Sequence, residues 1–544
     1  MTKKPSILTG AVVGGLFIAP LIAIYYLTAQ LIGTAFPPFD VFDWVGRVLP
    51  GPLVTFGIDS IVSVINIFNL GETSSTAKMA EQILAVLGMF ATGVLVAALF
   101  FAVMRGREGK AGWTTGATTG LLVGLPVLLI FFTINETATA DPNVSGIWIL
   151  LGFALWGIGI SWAYDWLASQ PAEAEKPTAS IEGIDRRTFL VRIGGASAAL
   201  TIVGAGLGSL LYTSRRTETI PVDFSGEAAE PWSASNALPN ADAAVLPAPG
   251  TRPELTPLAD HYRIDIRTQP VVINEAEWRL SIGGLVDTPV EMTLADIRDN
   301  YESISHFVTL ACISNRVGGD LTGTTLWTGA RLKDILADVG VQPSATHLKI
   351  TSADGFDEVV ALEELDNDDR IMLCYAWDGL PLAAKHGFPL RIWLPNRYGM
   401  KQPKWITNID LIPSWEEGYW VRRGWDKDAV MLATSVVDTV AVNSLITEGD
   451  TTLVPVGGIA HAGDRGISKV EVRVDDGEWV EAQLRQPIGE ATWVIWRYDW
   501  PFVEGQHTFS VRCVESDGTP QIESVRGSRP SGATGLDSVQ ANVG

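Results

Sequence analysis

The chain has 544 residues, too many for one compact domain, with 39 Lys and Arg against 61 Asp and Glu and a formal net charge of −22. Such an acidic balance repels nucleic acid and anionic lipid headgroups, so no nucleic acid is expected as a partner. Its three cysteines, Cys312, Cys374 and Cys513, allow at most one disulfide, and the absence of CxxC and CxxCH excludes a zinc ribbon, a thioredoxin-like centre and a c-type haem.

The charge is uneven along the chain. Residues 1–213 carry 11 basic and 13 acidic side chains, whereas residues 214–544 carry 28 and 48. The front is apolar and nearly neutral; the back is soluble and acidic. Apolar runs at 8–32, 80–104, 114–134, 146–167 and 189–213 each approach the roughly 20 residues that a helix needs to cross a bilayer. A sixth stretch, 48–70, is broken by Pro50, Gly51, Pro52 and Asp59 and reads as a re-entrant or interfacial helix. Five spans put Lys3 and Lys4, then Arg105, Arg107 and Lys110, then Lys176, Arg186 and Arg187 on one side, which the positive-inside rule makes the cytoplasm. Six spans would scatter those charges.

The last run follows Asp185-Arg186-Arg187-Thr188-Phe189-Leu190, a pattern similar to a twin-arginine export signal retained as an anchor. An ordinary basic flank is the alternative, and both readings leave residue 214 onward outside. Gly204, Gly206 and Gly208 follow no strand, so they read as helix-packing positions and not as a nucleotide loop. Residues 214–258, rich in Pro, Ala, Ser and Glu, read as a flexible linker.

Beyond the linker the pattern shortens. Trp278-Arg-Leu-Ser-Ile-Gly-Gly alternates like a strand entering a turn, and Val290-Glu-Met-Thr-Leu-Ala-Asp-Ile like a strand entering a helix. From about 430 the texture is β throughout. Lys469–Val474, Trp493–Tyr498 and His507–Cys513 alternate between turns at Asp476-Gly477 and Glu504-Gly505, which suggests a small immunoglobulin-like sandwich.

Chemistry concentrates in HFVTLACISNRVGGDLTGTTLWTGARLKDIL, which begins at His306. Cys312 closes an apolar strand ahead of Asn315, Arg316 and Gly318-Gly319. By itself such a cysteine reads as a small buried hydrophobe. The segment, however, resembles the molybdenum-ligand segment of the sulfite oxidase family: a cysteine closely followed by Asn and Arg, then Trp327-Thr-Gly-Ala-Arg-Leu332 opening a helix. The resemblance continues through Tyr375-Ala-Trp-Asp-Gly-Leu-Pro-Leu, His386-Gly-Phe-Pro-Leu-Arg391 and Tyr398-Gly-Met-Lys401-Gln-Pro-Lys404-Trp405, then Val456–Arg465 and Gly466-Ile-Ser-Lys-Val-Glu-Val. It spans about 260–525, with the motifs in order.

The resemblance implies a multi-domain chain. Transmembrane α-helices (1–213) and a linker (214–258) precede an α+β sulfite oxidase-type molybdopterin-binding domain (259–428) and an immunoglobulin-like β-sandwich of dimerisation type (429–530). It implies a molybdenum–molybdopterin cofactor with Cys312 as metal ligand and catalytic residue, a soft thiolate suited to that metal. Tyr262, Arg263, Asn315, Thr351, Ser352, His386, Arg391, Lys401 and Lys404 fall at cofactor-binding positions, with cations and the Gly399 backbone for the pterin phosphate. Tyr375 matches the tyrosine on the metal's substrate face, with a half-buried core ring as the alternative, and Arg465 is the sandwich's candidate for substrate. One family arginine is absent: Val317 follows Arg316 directly, and a tryptophan insertion is missing, which leaves sulfite itself open as substrate.

The expected activity is oxygen-atom transfer on a small molecule outside a prokaryotic cell membrane, with sulfoxide or N-oxide reduction as an alternative on the same fold. A cofactor-free membrane receptor or adhesion protein is the alternative from another class. All six histidines lie at or beyond His261, so residues 1–213 cannot ligate a haem through histidine. Electrons must then pass to a separate partner, a haem protein or quinone-linked subunit, with a homodimer through the sandwich also implied by the resemblance.

Overall fold

The computed structural model describes residues 4–134, 138–169, 186–218 and 230–544; Asp185 and the side chain of Arg186, from the arginine pair, lie outside this description. Two compact units emerge. One is Met1–Leu49, Ala77–Ile220 and Ile266–Gln269; the other is Pro50–Thr76, Pro221–Asp265 and Pro270–Gly544.

The helices of the N-terminal region are α1 (Ile7–Ile32), α2 (Pro37–Val48), α3 (Gly51–Phe68), α4 (Thr73–Gly106), α5 (Gly112–Ile134), α6 (Pro142–Ser169) and α7 (Arg186–Glu218). Among them α1, α4, α5, α6 and α7 contain five segments long and apolar enough to cross a membrane, matching the five apolar runs. In α1, Ser6 accepts a hydrogen bond from the Thr9 amide and Gly33, at φ 71°, ends the helix. Helices α5 and α6 pack backbone to backbone: a Cβ on Gly120 would stand 2.0 Å from the Phe153 carbonyl oxygen. The short α2 has prolines at its first two positions, which suit a helix start.

Helix α3 belongs to the second unit, not to the bundle. A Cβ on Gly51 would be 3.1 Å from the Arg423 Cα, and Asp59 lies 3.5 Å from Arg529. Leu53, Phe56, Ile67 and Phe68 on this helix are exposed. Just beyond it, the Thr73 amide donates to Asp320 Oδ2 at 2.7 Å, so the start of α4 is capped by the Cys312 loop. The expected boundary at 213 therefore misplaces residues 50–76.

The second unit is built on β1 (Leu280–Gly284), β2 (Val290–Met292), β3 (Ser303–Ala311), β4 (Thr322–Arg331), β5 (His347–Ser352), β6 (Asp357–Ala361), β7 (Met372–Trp377), β8 (Leu380–Pro381), β9 (Arg391–Trp393) and β10 (Ile406–Ile412). These form sheets ordered β2-β1-β10-β5-β6 and β3-β4-β7-β8, with β9 also on β7. Strands β1 and β10 pair in parallel. The helix Leu332–Val339, opened by the Trp327-x-Gly-x-x-Leu332 motif, buries Leu332, Ile335, Leu336 and Val339, a helical face at i, i+3, i+4 and i+7. It shares a core with Leu280, Ile282, Leu348, Ile350, Leu373 and Ile409. Each such side chain contributes about 1.5–3 kcal/mol on burial against about 0–1 for a surface ion pair, so apolar packing holds this fold together.

Strands β11 (Thr434–Val440), β12 (Ile446–Glu448), β13 (Thr451–His461), β14 (Ile467–Val474), β15 (Val480–Glu481), β16 (Gln483–Leu484), β17 (Val494–Pro501), β18 (Gly505–Glu515) and β19 (Asp537–Val543) follow. Two sheets, β11-β13-β17-β16 with β12 on β13 and β15-β14-β18-β19, share a core of Val454, Val456, Val470, Trp496, Phe509 and Val511. Trp496 is fully buried, and its indole N–H donates to Val436 O and Ile459 O, both at 3.2 Å. Strand β19 pairs with β18 along its length, which carries the sandwich past the expected end at 530.

The stretch read as linker is fastened from residue 230 onward. Arg485 donates to Asn240 O at 2.9 Å and Val245 O at 2.8 Å and pairs with Glu254 at 2.9 Å. Arg252 pairs with Asp438, and Ser233 with Asp378. Composition predicted mobility, but one arginine from the sandwich collects the backbone carbonyls of 240–245. Arg485→Met is expected to free this strap, seen as new proteolytic cleavage between 236 and 256; an unchanged digestion pattern would contradict that role.

Candidate active site

Cys312 stands where β3 gives way to a tight loop. Its amide donates to Leu321 O at 2.9 Å, its carbonyl accepts from the Asn315 amide at 3.0 Å, and the Asn315 side chain accepts from the Leu321 amide at 3.1 Å. Gly318, at φ 73°, makes the reversal that a Cβ would oppose. Asn315, expected at the cofactor, staples this loop. The Cys312 sulfur lies 3.0 Å from the Ser314 hydroxyl. Burial pushes its thiol above the ordinary range, and hydrogen bonds from Ser314 pull it back.

Behind the cysteine lies a buried cationic cluster. Tyr262 shares an apolar cluster with Cys312, Trp327, Cys374 and Trp377. Burial raises its phenol, as does Cys312, whereas Arg391 lowers it. The His261 ring stacks on Tyr262 with centroids 5.5 Å apart and lies 5.6 Å from the His386 ring. Arg391 donates to His386 O at 3.1 Å and stands 4.6 Å over the Trp327 ring. Lys404 reaches Asp265 and Lys385 O, both at 3.1 Å, and Arg263 pairs with Asp265 at 2.6 Å. Gly387 permits the convergence: a Cβ there would lie 3.1 Å from Lys404 Cβ and 3.3 Å from Arg391 Cβ.

Cations outweigh the Asp265 carboxylate in the cluster. Burial, with help from Arg391, brings His261 down to about 3, and burial draws His386 well below its ordinary value. Lys404, Lys385 and Arg391 add to the lowering at His386, and Asp265 is paired with Lys404. Burial lowers Lys404 to about 8 despite Asp265. Among the described residues, Nε2 of His386 and Oγ of Ser352 are buried without a hydrogen-bond partner. Such atoms call for a partner, which a polar ligand can supply. A phosphorylated pterin fits the cluster: neutral imidazoles for ring heteroatoms, cations for phosphate.

Not every expected residue joins this group. Strand alternation puts Thr351 and Ser352 on opposite faces of β5, and Ser352 carries the orphaned hydroxyl. Lys401 is paired with Glu358 at 2.7 Å, both nearly fully buried, so its ammonium is already matched. Tyr375 packs with Leu373 and Leu390 in the other core, and its hydroxyl lies 3.1 Å from Ser303 Oγ, whereas Met372 and Cys374 share the Cys312 cluster. This is the placement of a core ring. Arg465 pairs with Glu515 at 2.5 Å and donates to Met431 O at 2.7 Å. His261, Lys385 and Trp377 were missed by sequence reasoning; a histidine directly before Tyr262-Arg263, in a chain with six, was the available signal.

Residues 267–420 match the family model described as oxidoreductase molybdopterin binding domain. Sulfite oxidase of Arabidopsis thaliana is 25% identical over 282 residues, covering 43% of this chain and 72% of that protein. Nitrate reductase [NADH] 1 of Oryza sativa subsp. japonica is 26% identical over 292 residues, covering 43% and 31%, and mitochondrial sulfite oxidase of Homo sapiens 26% over 273, covering 42% and 50%. The chain thus spans no more than half the length of the latter two. The cofactor-free receptor alternative is set aside by these matches. Residues 267–420 are an oxidoreductase molybdopterin-binding domain related to those of sulfite oxidase and nitrate reductase, and the chain is an oxidoreductase that takes the molybdenum cofactor.

Proposed function

We propose that the protein performs oxygen-atom transfer on a small molecule, with Cys312 as the metal ligand and the catalytic unit held outside a prokaryotic cell membrane by the five apolar helices. The observation that carries this reading is the grouping of Cys312 with Tyr262, Trp327 and Trp377, on whose rings Arg391, His261 and His386 converge, with His386 Nε2 lacking a hydrogen-bond partner among the described residues. When bound, the cofactor supplies two-electron oxygen-atom exchange. His386 and His261, held neutral by burial, hydrogen-bond the pterin, Arg391 and Lys404 neutralise its phosphate, and the aromatic wall of Trp327 and Trp377 excludes water. Arg263 and Asp265 orient Lys404. Tyr375, held at Ser303, and Arg465, paired with Glu515, take no part in the step.

A reductase acting on sulfoxides or N-oxides is the second reading. The Arg465 guanidinium is already paired with Glu515, and Val317 offers no charge, which favours a substrate less anionic than sulfite. Metal and pterin analysis followed by a screen of sulfite, sulfoxides and N-oxides with artificial carriers tests both readings. Protein purified with pterin but inert toward every such substrate would overturn the oxygen-transfer reading.

The electron partner is a separate haem protein or quinone-linked subunit. Purified alone, the protein is expected to show molybdenum without haem absorbance. The arginine pair at the start of α7 serves export, the exposed apolar residues of α3 sit at the bilayer interface, and the sandwich, immunoglobulin-like, provides a homodimer contact. Protease added to intact spheroplasts should remove the acidic half; its protection, with the 105–110 loop cleaved, would reverse the topology.

Cofactor retention should also depend on pH. In cofactor-free protein Lys404 titrates at about 8, and a bound phosphate raises that value. Below about 8 the ammonium is charged in both forms and affinity is level. Above it, cofactor-free protein has lost a proton that binding must restore, so affinity falls by up to about tenfold per pH unit. Molybdenum retained after dialysis at pH 7 and pH 9.5 measures this. Equal retention, or an equal loss in Lys404→Met, would contradict it.

A further inference from the structure

We propose that Ser314 is a positioning residue whose hydroxyl donates to the Cys312 sulfur and so sets how much electron density that sulfur passes to the metal. This rests on the reading of Cys312 as ligand. The two side-chain atoms lie 3.0 Å apart. In a free thiol either atom can donate, but a metal-bound thiolate carries no proton and only accepts, so the hydroxyl must be the donor. Among the described residues the Ser314 hydroxyl has no backbone carbonyl as partner, which distinguishes it from a serine that merely closes a turn.

The loop keeps this contact in place. Residues 312–321 are tied by Cys312 N to Leu321 O, Asn315 N to Cys312 O, and Leu321 N to Asn315 Oδ1, at 2.9, 3.0 and 3.1 Å. Ser314 sits inside that closed turn, so its hydroxyl reaches the sulfur without a search over backbone conformations. A donor on a ligand sulfur withdraws charge from the metal and favours its reduced states. Loss of the donor then lowers the metal's midpoint potential.

Threonine and valine make the sharpest pair of substitutions, because they share a shape and differ in the hydroxyl. In the full-length, cofactor-loaded protein, a redox titration followed by the Mo(V) paramagnetic signal reads only loaded molecules, so partial loading does not obscure the result. Ser314→Thr is expected to keep the wild-type midpoint and spectrum. Ser314→Val should shift the midpoint downward and change the spectrum. Equal midpoints and spectra in both variants would overturn the role of the hydroxyl. Cys312→Ser in the same titration separates the two ideas: a spectrum unchanged by that substitution would remove the ligand reading itself.

Discussion

Cys312→Ser should yield a folded protein whose turnover falls to background. The loop around Cys312 is held by its backbone and by Asn315, so exchange of sulfur for oxygen leaves the turn intact. What is lost is a soft donor for a metal that binds sulfur well, and a hydroxyl is a hard and weakly acidic substitute. Removing groups that merely support a ligand costs roughly 10–100-fold in metal affinity or activity, so loss of the ligand should exceed that range. Turnover with an artificial carrier, read beside circular dichroism and pterin content, measures the effect. Full activity in this variant would end the assignment.

Arg391→Met should move stability and binding in opposite directions. Arg391 is buried, its described partners are the His386 carbonyl and the Trp327 ring, and burial pulls even its guanidinium down from the usual range. A desolvated cation destabilises cofactor-free protein, and the cation–π contact offsets only about 2 kcal/mol of that cost. The variant without cofactor should therefore gain about 1–4 kcal/mol, seen as a higher Tm. Cofactor binding should weaken by about 1.5–3 kcal/mol for the lost charged hydrogen bond, or about 10–150-fold. A lower Tm with unchanged molybdenum content would show that Arg391 serves the fold and not the cofactor.

The five long helices were legible because hydropathy over about 20 residues is a local property. Strands such as β14, β17 and β18 were legible for the same reason, since alternation is written in adjacent residues. Cys312, His386, Arg391 and Lys404 came from ordered motifs, and two of them, His386 and Arg391, converge on the Trp327 and Trp377 rings that pack with Cys312. What chain order does not show is three-dimensional. Which face of β7 carries Tyr375 depends on the sheet beneath it, and the match of Lys401 to Glu358 joins residues 43 positions apart. His261 became visible only through the rings of Tyr262 and His386 packed beside it. The strap from residue 230 was misread because its composition says nothing of Arg485, more than 230 positions later.

Helix α3 and the Asp320–Thr73 bond bear on how this protein can be dissected or grafted. Gly51 lies against Arg423, Asp59 near Arg529, and the Cys312 loop caps Thr73 through Asp320. A fragment cut at the apparent tether would therefore not be the catalytic half made soluble. It would lack a piece of its own fold, leave Asp320 without its amide partner, and expose the surface that α3 covers. The same holds for a chimera that joins residues 230–544 to a foreign anchor. Heredity should show this too: the two ends of the chain are expected to change together at these contacts and to resist exchange as separate modules.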